Sequence, residues 1–482
     1  MMKLFVPRES EAGESRVAMS PEVVKKLIAM GFEVVVERSA GLKSRLPDAA
    51  FSDAGASIGN ADDGATADVV FKIRRPNASE ANSYKRDALV LAAMDPYGHE
   101  DEITAMAKAG VRGFAMEFMP RITRAQVMDI LSSQANLAGY QSVIEASGVY
   151  DRALPMMMTA AGTIPAAKVF IMGVGVAGLQ AIATARRLGA IVTATDVRPA
   201  TKEQVESLGA KFVAVEDEEF KQAETSGGYA KEMSAEYQAK QAELVAKHIA
   251  KQDIVITTAL IPGRPAPRLV TKEMISSMSP GSVLVDLAVE RGGNVEGAVL
   301  DQIVQQGDVS IVGYQNMAGR ISATASLLFA KNLLAFLETM VDKDNKALKI
   351  DWDDELVSST LLTRDGAVVH PAFSDKKKAS AGKTKKPKDA KPKPVKAKPE
   401  EAETAKADEI DTEEFDDLTR INGIGPANVR KLEEIGVTRF SQIAAWSASD
   451  EEKIGDRLAF PGRIEREEWV KQARQLDANG DA

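Results

Sequence analysis

Gly173, Gly175 and Gly178 stand at G-x-G-x-x-G spacing directly after the apolar run 169–172, inside KVFIMGVGVAGLQAIATARRLGAIVTATDVR (168–198). Those residue types in that order suit the binding of a dinucleotide. Gly173 permits the tight turn out of a strand, Gly175 lets backbone approach a pyrophosphate, and Gly178 lets a helix pack close to the strand. The N-terminus of that helix offers free N–H groups and a positive dipole end to the phosphates. Asp196 lies 23 residues after Gly173, near the spacing of a carboxylate that accepts from the adenosine ribose hydroxyls. A carboxylate there favours NAD over NADP because it repels a 2′-phosphate, whereas Arg198 is a cation that such a phosphate would attract. Glycines alone also suit a plain strand–turn–helix. The register of strand, glycines, helix, second strand and acid is what points to nucleotide.

A second constellation is MPRITRAQVMDILSSQANLAGY (119–140), where Arg121, Gln126 and Asp129 fall in one short stretch. An arginine, an amide and a carboxylate together can hold a nicotinamide carboxamide and its ribose. The same Arg and Asp also suit a surface ion pair.

These residues need elements to position them. Residues 1–130 alternate strand patterns (3–6, 33–37, 69–73, 88–92, 111–114) with helical ones, including a helix from Pro21 to Met30 opened by Ser20 as N-cap. The β-α-β-α order predicts a parallel doubly wound sheet. A helix over 131–148 and a small-residue stretch lead into the glycine fingerprint, and a second α/β unit follows with strands at 254–257, 283–288 and 309–312. The apolar helical segment 322–341 is expected to return to the first domain. The expected architecture is α/β: two doubly wound, Rossmann-like parallel-sheet domains flanking a cleft, a disordered linker and a small all-α C-terminal module. Its divisions are 1–133 with 322–371, then 134–321, then 372–409, then 410–478. A stretch joining the two α/β units, such as 119–140, would lie along the cleft at the carboxyl ends of the strands, where such folds place ligands.

Composition bounds the rest. The chain has 482 residues, net charge −9 and no cysteine, so disulfides, thiolate nucleophiles and cysteine-based metal sites are excluded; no metal site is expected. Its start has no signal-peptide core, and no uninterrupted run of about 18 apolar residues marks a membrane span. Residues 376–398 carry eleven lysines and one aspartate among Pro and Ala, which reads as a disordered tether; an electrostatic foot on anionic lipid or an acidic partner is the alternative. After it, TRINGIGPANVRKLEEIGV resembles the helix-hairpin-helix family, with the turn Gly423-Ile424-Gly425 and Pro426 at a helix start. Residues 408–482 hold ten basic and eighteen acidic side chains, a field that repels nucleic acid. Protein contact or a structural cap is expected instead, with an unknown partner. The segment FPGRIEREEWVKQARQL resembles a C-terminal module appended to assorted bacterial proteins.

Over residues 1–371 the chain resembles the soluble NAD(H)-binding alpha subunit, split alpha-1 form, of proton-translocating NAD(P) transhydrogenases. PRESEAGESRVAMSPEVV, PRITRAQVMDILSSQANLAGY, the fingerprint with Asp196, GGYAKEMSAEY, TTALIPGRPAPRL and DLAVERGGN carry the likeness. It implies that Arg121, Gln126 and Asp129, with Ser132 beside them, order the nicotinamide. It implies dinucleotide contacts from Gly173, Val174, Gly175, Val176, Ala177 and Gly178, from Asp196, Val197 and Arg198, and from Thr258, Ala259 and Leu260. It also implies a mobile loop over Gly227–Glu236, contributing Gly228, Tyr229 and Met233. NAD(H) would bind this chain and NADP(H) a partner subunit, with membrane-spanning subunits on other chains. The chain would be a cytoplasmic homodimer held peripherally at the inner membrane through those partners. The family stretch after DLA usually runs small residue, Glu, apolar residue; here it is Val289, Glu290, Arg291, which leaves the setting of Gly292 and Gly293 open.

Two rivals remain. An alanine-dehydrogenase-like enzyme shares the fold, and Arg16 and Lys72 match that group's substrate cations. At its catalytic-histidine position, however, this chain has Met94 and Asp95; His99 comes too late. A 2-amino-acid dehydrogenase must move a proton as well as a hydride, whereas direct transfer between two nicotinamides needs only stacked rings at about 3–3.5 Å and excluded water. A non-enzymatic NAD-sensing scaffold is the second rival.

Overall fold

The computed structural model describes residues 2–221, 233–261 and 263–374, and, toward the C-terminus, residues 416, 418–421, 424, 432, 437–447, 451, 454, 464 and 468–478. The chain divides into two units, residues 1–385 and 386–482.

The first unit is built on two sheets. Strands β1 (Met2–Val6), β2 (Phe32–Glu37), β3 (Ser57–Gly59), β4 (Val69–Arg74), β5 (Leu89–Ala93) and β6 (Arg112–Ala115) form a parallel sheet in the order β3-β2-β1-β4-β5-β6. After a hairpin, β7 (Met157–Thr159) with β8 (Gly162–Ile164), come β9 (Lys168–Met172), β10 (Ile191–Thr195), β11 (Lys211–Phe212), β12 (Ile254–Thr257), β13 (Val283–Asp286), β14 (Gln302–Gln306) and β15 (Val309–Gly313). This second sheet runs β11-β10-β9-β12-β13-β15-β14, parallel except for β14. The expected class of two doubly wound parallel sheets is therefore met.

Side-chain alternation between two cores explains why strands such as β1 and β9 read as continuous apolar runs. Leu4 and Val6 enter the core on one face of the first sheet, while Phe5 enters the core on the other. Val169 and Ile171 likewise point opposite to Phe170 and Met172 in the second. The first helix, Pro21–Ala29, starts where its cap dictates: the Ser20 hydroxyl accepts from the Val23 N–H at 3.3 Å, and Pro21 occupies the first turn.

Two helices tie the halves together. The connecting helix Ile130–Val149 is 20 residues long, about 30 Å. Ile130 is buried in the first core, Val143 and Ala146 in the second. The return helix Ser322–Glu338 places Phe329, Leu333 and Leu337 in the first core. Extended back to Met317, it is long and apolar enough to cross a membrane by length and composition, with mean hydropathy 1.3, yet half of its most apolar window is buried. The sequence reading found no such segment because Arg320 and Lys331 interrupt the run. The polar edge strand β14 and the exposed hairpin β7–β8 were not expected: the first lacks an apolar signature and the second is read as a small-residue stretch.

In the second unit, Leu418, Ile421, Ile424, Phe440, Ile443 and a fully buried Trp469 share one small core. The helices Phe440–Ala444 and Trp469–Ala478 contribute to it. Gly423, Gly425 and Pro426 of the expected hairpin turn, and residues 375–409 of the expected linker, lie outside the described residues.

Candidate nucleotide cleft

The glycine fingerprint leaves β9 and enters the helix Val176–Arg187 with Gly175 as its N-cap. Gly173 has φ +103°, and a Cβ on it would lie 2.5 Å from the Thr258 hydroxyl. Gly178 touches the strand: a Cβ there would lie 2.9 Å from the Gly173 carbonyl carbon. Gly175 differs, since a Cβ on it would meet nothing within 4 Å. Its backbone is exposed at the mouth of the helix, beside the exposed Val176 and half-buried Ala177, while Val174 is buried beneath. That space in front of the helix N-terminus fits a pyrophosphate, so the residues present suit a dinucleotide.

Asp196 follows β10 and reaches back to the fingerprint. Its Oδ2 accepts from the Val174 N–H at 2.7 Å. Arg198 donates Nε to Oδ1 and Nη2 to Oδ2, both at 2.9 Å, and Nη2 also meets the Val174 carbonyl at 3.2 Å. Val197 between them is exposed. The third wall is the loop after β12. Thr258 donates its N–H to the Met172 carbonyl at 2.9 Å and its hydroxyl to the Gly173 carbonyl at 3.0 Å. Ala259 N–H donates to Asn294 Oδ1 at 3.0 Å, and Leu260 is exposed.

The Arg–Gln–Asp stretch caps the connecting helix. Gln126 and Arg121 are exposed, the former on the 3₁₀ turn Thr123–Met128. Asp129 is the helix N-cap, and its carboxylate accepts from the Ser132 N–H at 2.9 Å and the Ser132 hydroxyl at 2.5 Å. The carboxylate is thus fixed in place rather than free to swing. Further along this helix, Gly139 meets the fingerprint helix: a Cβ on it would lie 2.8 Å from the Ala177 carbonyl carbon. Ten residues separate Asp129 from that crossing, about 15 Å along the axis. Of the expected mobile loop, Gly228 and Tyr229 lie outside the described residues, and Met233 is buried in the same core as Phe220 and Tyr237.

Three supporting residues were not singled out by sequence reasoning. Gly139 sets the helix approach; its signal is the small pair Ala138-Gly139 inside a helix. Asn294, fully buried, donates to the carbonyls of Ala259 at 2.9 Å and Pro267 at 2.8 Å. Asp286, also buried, accepts from the N–H groups of Ala288 at 2.8 Å and Val295 at 2.9 Å. Between them, Gly292 and Gly293 carry φ of +91° and +77°, so the unusual Val289-Glu290-Arg291 still delivers the chain into a double left-handed turn that other residues strain to adopt.

Opposite stands a buried ionic network. Glu14 takes a forked contact from Arg16 (2.8 and 2.6 Å) and one from Arg74 (2.8 Å), and Arg16 also donates to Gln134 at 2.8 Å. Burial alone would raise Glu14, but the two guanidinium groups outweigh it and hold the carboxyl at about 2. Lys72 sits between Glu9 (3.3 Å) and Glu80 (3.1 Å). Burial opposes its charge, and the two carboxylates overcome that and raise its pKa. At the end of β5, Met94 is fully buried and Asp95 pairs with Arg291 from the second half. Burial raises Glu117, which accepts from the backbone N–H groups of Met94 and Asp95. His248 contacts Thr193 and Phe170, His370 stacks on Phe118, and His99 contacts the Asp95 carbonyl.

Known proteins share this geometry. Residues 5–138 match the family description alanine dehydrogenase/PNT, N-terminal domain, and residues 142–371 its C-terminal counterpart. Residues 418–477 match the RS2/RL21/YNQ2 HHH domain. The chain is 55% identical over 380 residues to the first portion of the split NAD(P) transhydrogenase subunit alpha of Rhodospirillum rubrum, covering 77% of this chain and 99% of that protein. The crystal structure of transhydrogenase from Sinorhizobium meliloti is 64% identical and superposes with a TM-score of 0.70, covering 76% of this chain and all of that one. An L-alanine dehydrogenase at 24% identity and TM-score 0.64, covering 77% of this chain and 98% of its own, shares the fold. The chain belongs to the alanine dehydrogenase/PNT family, within its NAD(P) transhydrogenase alpha subunits.

Proposed function

We propose that this chain holds NADH for direct hydride transfer to NADP+ on a partner subunit, with membrane-spanning subunits coupling the exchange to proton translocation. Bound NADH supplies the hydride. The protein's role is placement. Residues 1–133 with 322–371 form one wall of the cleft, and residues 134–321 the other. The open backbone at Gly175 and the helix N-terminus behind it receive the pyrophosphate, Asp196 faces the adenosine ribose, and Thr258, Ala259 and Leu260 line the opposite side. Arg121, Gln126 and the Ser132-braced Asp129 orient the nicotinamide. Exposed apolar residues on the hairpin, Met158 at 81% above all, support pairing with a second copy.

One observation carries the choice between this reading and an amino-acid dehydrogenase. Among the described residues, no imidazole occupies the end of β5 itself: Met94 is buried there, the Asp95 carboxylate is engaged by Arg291, the imidazole of His99 turns its Nδ1 to the Asp95 carbonyl, and the buried Glu117 carboxylate accepts from the Met94 and Asp95 N–H groups. Arg16 and Lys72 are already ion-paired within the protein. Transfer between two nicotinamides needs no protein acid or base.

The test mixes the purified chain with NADH, a nicotinamide-analogue acceptor and an NADP-binding partner domain, and separately with NADH, pyruvate and ammonia. Hydride exchange confined to the first mixture is expected. Turnover confined to the second makes the chain an amino-acid dehydrogenase, and silence in both, with NADH bound, makes it a sensor.

A further inference from the structure

Asp196 is saturated. A carboxylate offers about four lone-pair sites, and four donors occupy them: the Val174 N–H and Arg198 Nη2 on Oδ2, and the Arg198 N–H and Nε on Oδ1. Three of the four come from Arg198. The Asp196 side chain is 7% exposed and that of Arg198 33%, so the guanidinium forms the outer, solvent-reachable part of the pair. An adenosine ribose that docks on Asp196 must therefore displace guanidinium donors from it.

This arrangement has a bearing on cofactor choice. A guanidinium presents a planar fork that matches phosphate oxygens as well as it matches carboxylate. Standing where the ribose edge must lie, it is a ready ligand for a 2′-phosphate. The carboxylate beneath it opposes that use, by cancelling its charge, occupying its fork and repelling the phosphate. A protein that works beside an NADP(H)-binding partner has reason to keep NADP(H) out of its own cleft.

We infer that Arg198 is a latent 2′-phosphate site held shut by Asp196, and that the pair, rather than Asp196 alone, sets the preference for NAD(H) over NADP(H). The inference rests on the cleft being the NAD(H) site proposed above. Losing the carboxylate opens the latent site; losing both residues leaves a cleft with no strong preference.

Binding of NADH and NADPH, and of 5′-AMP and adenosine 2′,5′-bisphosphate as probes of the 2′-phosphate alone, is measured by fluorescence and calorimetry on the full chain. The proteins are wild type, Asp196→Ser, Arg198→Ala and the double variant. Wild type binds NADH at least a hundredfold more tightly than NADPH. Asp196→Ser shifts that ratio toward NADPH by at least a hundredfold, and the double variant gives back at least tenfold of the NADPH gain. Equal NADPH and bisphosphate affinity in the single and double variants overturns the inference. Failure of wild type to bind NADH overturns the functional reading instead. If Asp196→Ser does not fold, Asp196→Asn repeats the comparison, since its remaining carbonyl still accepts from Val174.

Discussion

Gly139→Ala and Gly148→Ala make the same chemical change on the same helix and should act in opposite directions. Both glycines lie within Ile130–Val149. At Gly148 a new Cβ meets nothing within 4 Å. The substitution there gains helix propensity and lowers unfolded-chain entropy, worth about 0.5–1 kcal/mol of stability. At Gly139 the same methyl lies 2.8 Å from the Ala177 carbonyl carbon and 2.9 Å from its Cα, against about 3.5–4.0 Å for relaxed carbon contacts. Both partners are backbone, so no rotamer change relieves the overlap and the two helices must part by about 1 Å. Overpacking of this kind costs about 1–3 kcal/mol, which exceeds the propensity gain. At about 2–4 °C per kcal/mol, thermal melts should rise by a few degrees for Gly148→Ala and fall for Gly139→Ala. The displaced element is the helix whose N-terminus is proposed to receive the pyrophosphate, so Gly139→Ala should also weaken NADH binding, read by fluorescence titration, while Gly148→Ala leaves it unchanged. Wild-type melting and NADH affinity in Gly139→Ala would refute the claim that backbone contact at this crossing positions the fingerprint.

Three further outcomes are expected. Glu14 is held at about 2 against an ordinary 4.5, a depressed pKa, so its contribution is present above pH 4.5 and lost as pH falls toward 2. That shift is worth about 3 kcal/mol, and urea melts of Glu14→Gln against wild type should differ by at least that much at pH 7 and converge near pH 2; a gap independent of pH contradicts it. Arg291→Ala removes a cross-cleft ion pair whose partners are 44% and 38% exposed, so it should cost no more than about 1 kcal/mol at low salt and nothing measurable at 1 M salt; a large, salt-insensitive loss would show a buried role. A chain ending at Ser374 should retain NADH binding and hydride exchange, because both sheets and both tying helices lie before that point; loss of nucleotide affinity would make the C-terminal module part of the binding core.

Much of this architecture is legible in the residues because its signals are periodic. Strands such as LVLAA and the VFIM run of β9 are buried on both faces and read as unbroken apolar runs, and the glycine fingerprint places itself between strand and helix. What escaped the sequence reading depends on contacts between segments far apart in the chain. Gly139 looks like any small residue in a helix until the Ala177 backbone lies against it, and Asn294 and Asp286 reveal themselves only through the N–H and carbonyl groups they satisfy. The forked grip of Arg198 on Asp196 is hidden for a different reason: spacing brings the two near each other, but spacing is silent on whether the guanidinium faces the carboxylate or solvent. The hairpin β7–β8 pairs only three residues a side, MMT with GTI, too few to show the alternation by which strands are usually recognised.

The central claim is that this chain places a nicotinamide and leaves the chemistry to the two coenzymes. Its most direct test combines Arg121→Ala, Gln126→Ala and Asp129→Ala and measures hydride exchange with the NADP-binding partner present, alongside NADH affinity. Misplacing a reactant by about 1 Å costs on the order of a hundredfold in rate. Exchange should therefore fall at least that far while NADH affinity changes by less than tenfold, since the fingerprint and Asp196 remain. Undiminished exchange in the triple variant would contradict the account.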